Sequence, residues 1–229
     1  MKQLLICSIF GLVFIWSSSA LAQKQSVYFG IGITALRGEL SNESIAQEEY
    51  GLNYTLKYMV PLKNEQFVFT GETSFLNMQL GRQFGTGETA VNYQSIVSHT
   101  YVGAGLRFYL SKSVSKYNPY QGQFLPFIGI GAGMAHINRI SNRAVIPQQI
   151  AGKKPIEDPT AGYEFYEGAN YEFAPQVEAG FAYVISSIWS VEASGLVRPG
   201  LSDSWDGVKG TTNSPDYFMS GAIGVQMRF

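Results

Sequence analysis

The chain closes on a segment, Tyr217 to Phe229, whose side chains alternate in character. Tyr217, Met219, Gly221, Ile223, Val225, Met227 and Phe229 share one face, while Ser220, Ala222, Gly224, Gln226 and Arg228 share the other. A period of two, apolar outside and small or polar inside, is the pattern of a strand that crosses a bilayer. A strand in hydrocarbon cannot leave a sheet edge open, because its unpaired backbone groups would find no water. One such strand therefore demands a closed set of others.

Seven more segments carry the same alternation, at about 26–36, 50–60, 66–78, 93–110, 124–138, 171–185 and 189–198. In the first, Val27, Phe29, Ile31 and Ile33 oppose Tyr28, Gly30, Gly32 and Thr34; in the fifth, Ile128, Ile130, Ala132 and Met134 oppose Gly129, Gly131 and Gly133. Each is near the length that a tilted strand needs to cross a membrane. The connections alternate: 37–49, 79–92, 139–170 and 199–215 are long and polar, 61–65 and 186–188 are tight, and 111–123 is intermediate. That asymmetry predicts an all-β fold, an eight-stranded antiparallel up-and-down transmembrane β-barrel, with its short turns and both termini in the periplasm. A soluble lipocalin-like barrel would put the larger apolar residues inside; here they share the face opposite Gly, Ser and the charges.

The start of the chain agrees. Lys2, the apolar run Leu4 to Trp16, and the small residues Ser17 to Ala22, ending Ala20-Leu21-Ala22, form a secretory signal peptide expected to be cut after Ala22. The apolar run is too short to span roughly 30 Å of hydrocarbon. Residues 1–22 are thus expected to be removed, leaving 23–229 as one outer-membrane barrel domain. Loss of Lys2 takes the formal net charge from −1 to −2, and loss of Cys7 removes the one cysteine. Disulfide and thiol chemistry are excluded in the mature chain, and the near-neutral balance argues against nucleic acid as a partner.

The inward face holds seven charges: Lys57, Glu72, Arg107, Glu178, Glu192, Arg198 and Arg228. Charges confined in a narrow barrel are expected to pair across the lumen. Eight strands enclose little more than their own side chains, so a structural plug is favoured over a proton or ion path. Of the two histidines, His99 and His136, the first follows Ser98 directly. Neighbouring strand residues point to opposite faces and cannot form a base–nucleophile pair, so no catalytic residue is assigned and the chain is read as non-enzymatic. Gly129, Gly131 and Gly133 follow the strand period and precede no helix, which is not the geometry of a phosphate loop. Asp203 and Asp206, with Asp216, lack the spacing of an EF-hand; no metal or cofactor is expected. Loop 139–170, with Arg139, Arg143, Lys153, Lys154, Tyr163, Phe165 and Tyr166, is the largest surface outside the barrel.

Two resemblances add to this reading. Phe229 ending an alternating strand with Tyr217, Met219, Ile223, Val225 and Met227 resembles the signal that the barrel assembly machinery recognises in bacterial outer-membrane barrels. Gly38-Glu39-Leu40 is similar to a Gly-Asp-Leu signature, and Pro126-Phe127 with Gly129, Gly131 and Gly133 to a Pro-aromatic, Gly-x-Gly strand. Arg198 through Ser202-Asp203-Ser204-Trp205-Asp206-Gly207-Val208 resembles an Arg-rich strand end and its Thr-Asp-Tyr-Leu-Asp-Asp-Val-Ser loop. These resemble the PorG-like outer-membrane barrels of the type IX secretion and gliding apparatus. Ser204 and Trp205 replace an aromatic–aliphatic pair there, and Lys209 replaces a Ser. The resemblance implies a small anchor in the outer membrane for a periplasmic ring of secretion subunits. The expected partners are then outer-membrane lipid and lipopolysaccharide, the assembly machinery, and such ring subunits. The intermediate turn, with Tyr117, Pro119 and Tyr120, is the candidate periplasmic contact, and Asp203, Asp206 and Gly207 are the family-like loop motif.

Overall fold

A computed structural model describes residues 25–37, 50–62, 66–84, 91–110, 122–143, 164–165, 168–201, 205, 208–209 and 216–229. Ten strands follow in order: β1 Ser26–Arg37, β2 Tyr50–Pro61, β3 Phe67–Phe84, β4 Val91–Tyr109, β5 Phe124–Arg143, β6 Glu164–Phe165, β7 Gly168–Val184, β8 Trp189–Pro199, β9 Val208–Lys209 and β10 Tyr217–Arg228. Eight of them close into a barrel in the order β1-β10-β8-β7-β5-β4-β3-β2, and every pairing is antiparallel. The two remaining, β6 and β9, pair with one another beyond the barrel. The fold is an all-β up-and-down barrel.

The first and last strands zip along their whole length, from Ser26↔Arg228 to Arg37↔Tyr217. Small residues face each other there, Gly30 with Gly224 and Gly32 with Ala222. A Cβ on Gly32 would lie 2.9 Å from that of Ala222, so this close approach requires glycine. Gln25 and Phe229 lie side by side, with backbone bonds from Gln25 N to Phe229 O at 3.2 Å and from Phe229 N to Gln25 O at 3.0 Å. The tight connections share that end. Leu62 N bonds Phe67 O at 2.8 Å, and Ile185 N bonds Trp189 O at 3.0 Å. We call this the turn end and the opposite one the loop end.

The outside is apolar. Ile130 and Ile223 are 67% and 66% exposed, and Phe29, Ile33, Leu52, Phe75, Phe173 and Val177 are likewise uncovered. A continuous apolar girdle of this extent has no place in water. The inside is where polar side chains are buried, among them Thr55, Thr70, Ser74, Gln176 and the charges described below.

Three strands run further than their sequence suggests. β3 continues to Phe84, β4 begins at Val91, and β5 reaches Arg143. The expected polar loop 79–92 is therefore mostly hairpin, with Leu80 opposite Ser95 and Phe84 opposite Val91. The reason is a switch of pattern along the strand. Near the loop end Leu76, Met78, Leu80, Val97 and Ile137 are buried inside, while Asn77 and Gln79 are exposed outside. Above the girdle the barrel thus reads as a water-facing sheet, apolar within and polar without. β7 also starts early, at Gly168, so the long connection 139–170 contributes strand at both ends and β6 within it.

Candidate functional site

The middle of the barrel is filled by six ionised side chains from five strands. Lys57 comes from β2, Glu72 from β3, Arg107 from β4, Glu178 from β7, and Glu192 and Arg198 from β8. All are buried. Their inward direction follows from the pleat: each shares parity with small or polar neighbours, opposite the exposed apolar row.

Three acids meet three bases. Arg107 makes a two-pronged contact with Glu192, Nη1 to Oε2 at 2.6 Å and Nη2 to Oε1 at 2.9 Å, and Nη2 also reaches Glu178 Oε1 at 3.0 Å. Lys57 donates to Glu178 and lies 3.9 Å from Glu72. Arg198 Nη2 donates to Glu72 Oε1 at 3.0 Å and to Gln176 Oε1 at 2.7 Å, and Gln176 Nε2 returns to Glu72 Oε2 at 3.0 Å. Each acid is held by at least one base, and the set is neutral. Two guanidinium planes also lie over rings: Arg107 is 3.7 Å from the Phe127 centroid and Arg198 is 3.6 Å from that of Tyr101. Such stacking suits the flat, weakly hydrated arginine head.

The glycine run of β5 makes room for this cluster. Gly129 stands between Arg107 and Glu178 in the sheet register, and Arg107 Nη2 reaches Glu178 Oε1 across it. A Cβ on Gly131 would lie 3.1 Å from Gln176 Nε2, and one on Gly133 would lie 2.8 Å from the Tyr101 ring. Those residues serve packing of the lumen. The space left beside Lys57, Glu72 and Glu178 is about 10 Å³, roughly what one water molecule requires. Apolar layers seal both sides of the cluster, with Met59, Val68, Leu125, Phe127 and Val184 toward the turn end and Leu76, Val97, Ile137 and Phe218 toward the loop end.

The remaining residues singled out from the sequence fall elsewhere. Arg228 stands apart from the cluster near the turn end, half-buried, with Nη2 3.3 Å from Ser190 Oγ. His99 faces inward, 4.6 Å from the Phe218 ring and 5.9 Å from that of Trp205. His136 is on the outer face against Tyr171, at 4.6 Å. Ser98 is on the outer side of β4, away from His99. Ser95 shares the inner face of His99, but four residues along a strand separate them by about 13 Å. Among the described residues no serine is placed against either histidine as a base–nucleophile pair. Among the described residues no group of three His, Cys, Asp or Glu is placed to hold a metal. Tyr117, Pro119, Tyr120, Asp203, Asp206 and Gly207 lie outside the described residues.

One feature of the loop end was not legible in advance. Trp205, between β8 and β10, is fully buried in the barrel mouth. Its backbone N donates to Asp216 Oδ2 and its Nε1 to Glu172 Oε2, both at 2.5 Å, and Phe218 lies 5.0 Å away. Gly200 is needed beneath it, because a Cβ there would sit 2.7 Å from the indole. Asp216 is therefore a fastener for Trp205.

No protein-family model and no curated protein matches the sequence. Solved structures do. Neisserial surface protein A superposes with a TM-score of 0.50 at 11% identity, covering 90% of this chain and 97% of that one. The outer membrane protein OprG of Pseudomonas aeruginosa superposes with a TM-score of 0.50 at 9% identity, covering 91% and 96%. At such identities the likeness is one of fold.

Proposed function

We propose that the chain is a non-enzymatic, integral outer-membrane β-barrel of a Gram-negative bacterium that works as an anchor, with its turn end in the periplasm. The observation that carries this reading is the combination of an apolar girdle with a lumen filled by a neutral cluster of six charges. The cluster fills the middle of the barrel, with about one water's space beside Lys57, Glu72 and Glu178, so this reading assigns the work to the two ends. The finer reading is a component of a protein-secretion machine of the type IX kind that holds periplasmic ring subunits. It rests on the resemblance around Gly38-Glu39-Leu40, Pro126-Phe127 and Arg198 to Val208.

The test is recovery of partners from gently solubilised outer membranes after mild crosslinking, read by mass spectrometry. Stoichiometric periplasmic ring subunits are expected with the wild type and their loss with Tyr117→Ala/Tyr120→Ala, the barrel remaining folded. Equal recovery from both proteins would refute the turn as the contact; recovery of the barrel alone would refute the secretion role.

The second reading is an envelope or adhesive barrel that acts through its loop end. It draws on the β6–β9 ladder, Glu164↔Lys209 and Phe165↔Val208, which ties the two longest connections together. Under it, trimming the connection 139–170 between the ends of β5 and β7, that is within 144–167, abolishes function and the turn substitutions do not.

A further inference from the structure

The girdle has an open depression across β7, β8 and β10. Across β7, β8 and β10 the outward residues at one level are Ala179, Gly195 and Gly221, paired in register as Ala179↔Gly195 and Gly195↔Gly221. They floor two contiguous hollows of about 650 and 620 Å³ on the outer face. Packing does not require these glycines. A Cβ on Gly221 would meet nothing within 4 Å, and one on Gly195 would come no nearer than 3.9 Å to the adjoining strands. The inward Gly105 differs: a Cβ there would lie 2.6 Å from the Ile130 carbonyl. Glycine inside a strand is unfavourable and packs nothing, so the dent is an outward feature with its own cause.

Its length and its end identify the occupant. Along β1 it runs from Ile31 to Arg37, and Arg37 and Tyr50 form its rim. Six residues of strand are about 20 Å, and a tilt of about 40° makes that about 15 Å of depth, half of a hydrocarbon core of roughly 30 Å. The hollow therefore spans one leaflet, the loop-end leaflet, from the midplane to the surface. Its walls are apolar to the midplane and its rim carries a cation, which complements an acyl chain under a phosphate.

We propose that this groove is a specific seat for one acyl chain of a phosphorylated glycolipid of the outer leaflet, with the lipid phosphate at Arg37. The proposal rests on the outer-membrane reading above, in which the loop end faces outward. The seat holds the lipid more firmly than the bulk lipid around the girdle.

The experiment uses the mature barrel folded in detergent micelles with purified diphosphoryl lipid A, and separately with phosphatidylethanolamine, read by native mass spectrometry. The wild type is expected to keep one lipid A per barrel under conditions that strip phosphatidylethanolamine. Gly195→Leu/Gly221→Leu, which fills the floor, is expected to keep none, and Ala179→Phe gives a second way to fill it. Arg37→Gln is expected to bind about fivefold more weakly, as for the loss of one cation at a lipid surface. Retention of folded, heat-modifiable migration shows that each variant forms the barrel. Equal lipid A retention by the wild type and the filled variants overturns the proposal. So does a wild-type dimer that the filled variants convert to monomer, since a second copy would then occupy the groove. Cell fractionation is read alongside: absence from the outer membrane would refute the reading of location, whereas correct location without retained lipid A would refute the groove alone.

Discussion

Replacing Arg107 by Met removes the base at the centre of the cluster. Arg107 is 1% exposed and Glu192 is 0% exposed. Arg107 supplies Glu192 with both of its charged contacts, and Glu192 has no other ion pair among the described residues. Glu178 keeps Lys57. The variant therefore strands one fully buried carboxylate without its base. Breaking a buried pair by removing one partner costs about 3–5 kcal/mol. At a urea slope of about 2 kcal/mol per molar, the unfolding midpoint should fall by roughly 1.5–2.5 M. The companion variant Arg107→Met/Glu192→Met deletes the pair and leaves two acids with two bases. It should regain most of the loss, because a buried pair exchanged for apolar side chains of similar volume is often neutral or stabilising. Urea unfolding in lipid vesicles, followed by the gel shift between folded and unfolded barrel, measures all three proteins. An Arg107→Met midpoint equal to that of the wild type would refute the charge argument, and a double variant weaker than the single one would refute the pairing.

Further outcomes follow from the same geometry. Trp189 is 44% exposed on the girdle whereas Trp205 is fully buried, so in brominated lipid a Trp205→Phe protein should lose most of its fluorescence and a Trp189→Phe protein should keep it. Strong quenching of the latter would contradict the burial of Trp205. In planar bilayers the wild type should show no sustained conductance, because the cluster and its two apolar layers fill the lumen; a steady open level would refute the plug. Deleting the gene should leave the lipid A acylation pattern unchanged, since among the described residues neither His99 nor His136 meets a serine nucleophile; an altered pattern would reopen enzymatic chemistry at the barrel wall.

The parts legible in the sequence are those governed by the period of two. The β10 alternation from Tyr217 to Phe229 and the β1 alternation from Val27 to Ile33 place every side chain on the correct face, because a one-residue slip would turn the charges into lipid. The ends of β3, β4 and β5 were less legible because the sign of the pattern reverses there: Asn77 and Gln79 outside with Leu76 and Met78 inside look like loop to a reading tuned to a lipid-facing strand. Which acid meets which base depends on stagger around the ring, as when Arg107 reaches Glu178 over Gly129. Trp205 was hidden because its burial is decided by Glu172 on β7 and Asp216 ahead of β10. A lone Trp among Ser, Asp and Gly was the available signal.

The seam between β1 and β10 contributes no member to the charge cluster. Its inward side is joined by neutral contacts, Thr34 Oγ1 with Ser220 Oγ at 2.6 Å and Gln226 Nε2 to Ser26 Oγ at 2.8 Å, and by facing glycines. The six strands from β2 to β8 form one contiguous curl that already contains every acid and base of the middle layer. The charges can thus neutralise one another before the ring is complete. Closure then needs only the backbone ladder of β1 with β10 and these neutral side-chain contacts, with no charge of the cluster left to be matched across the seam.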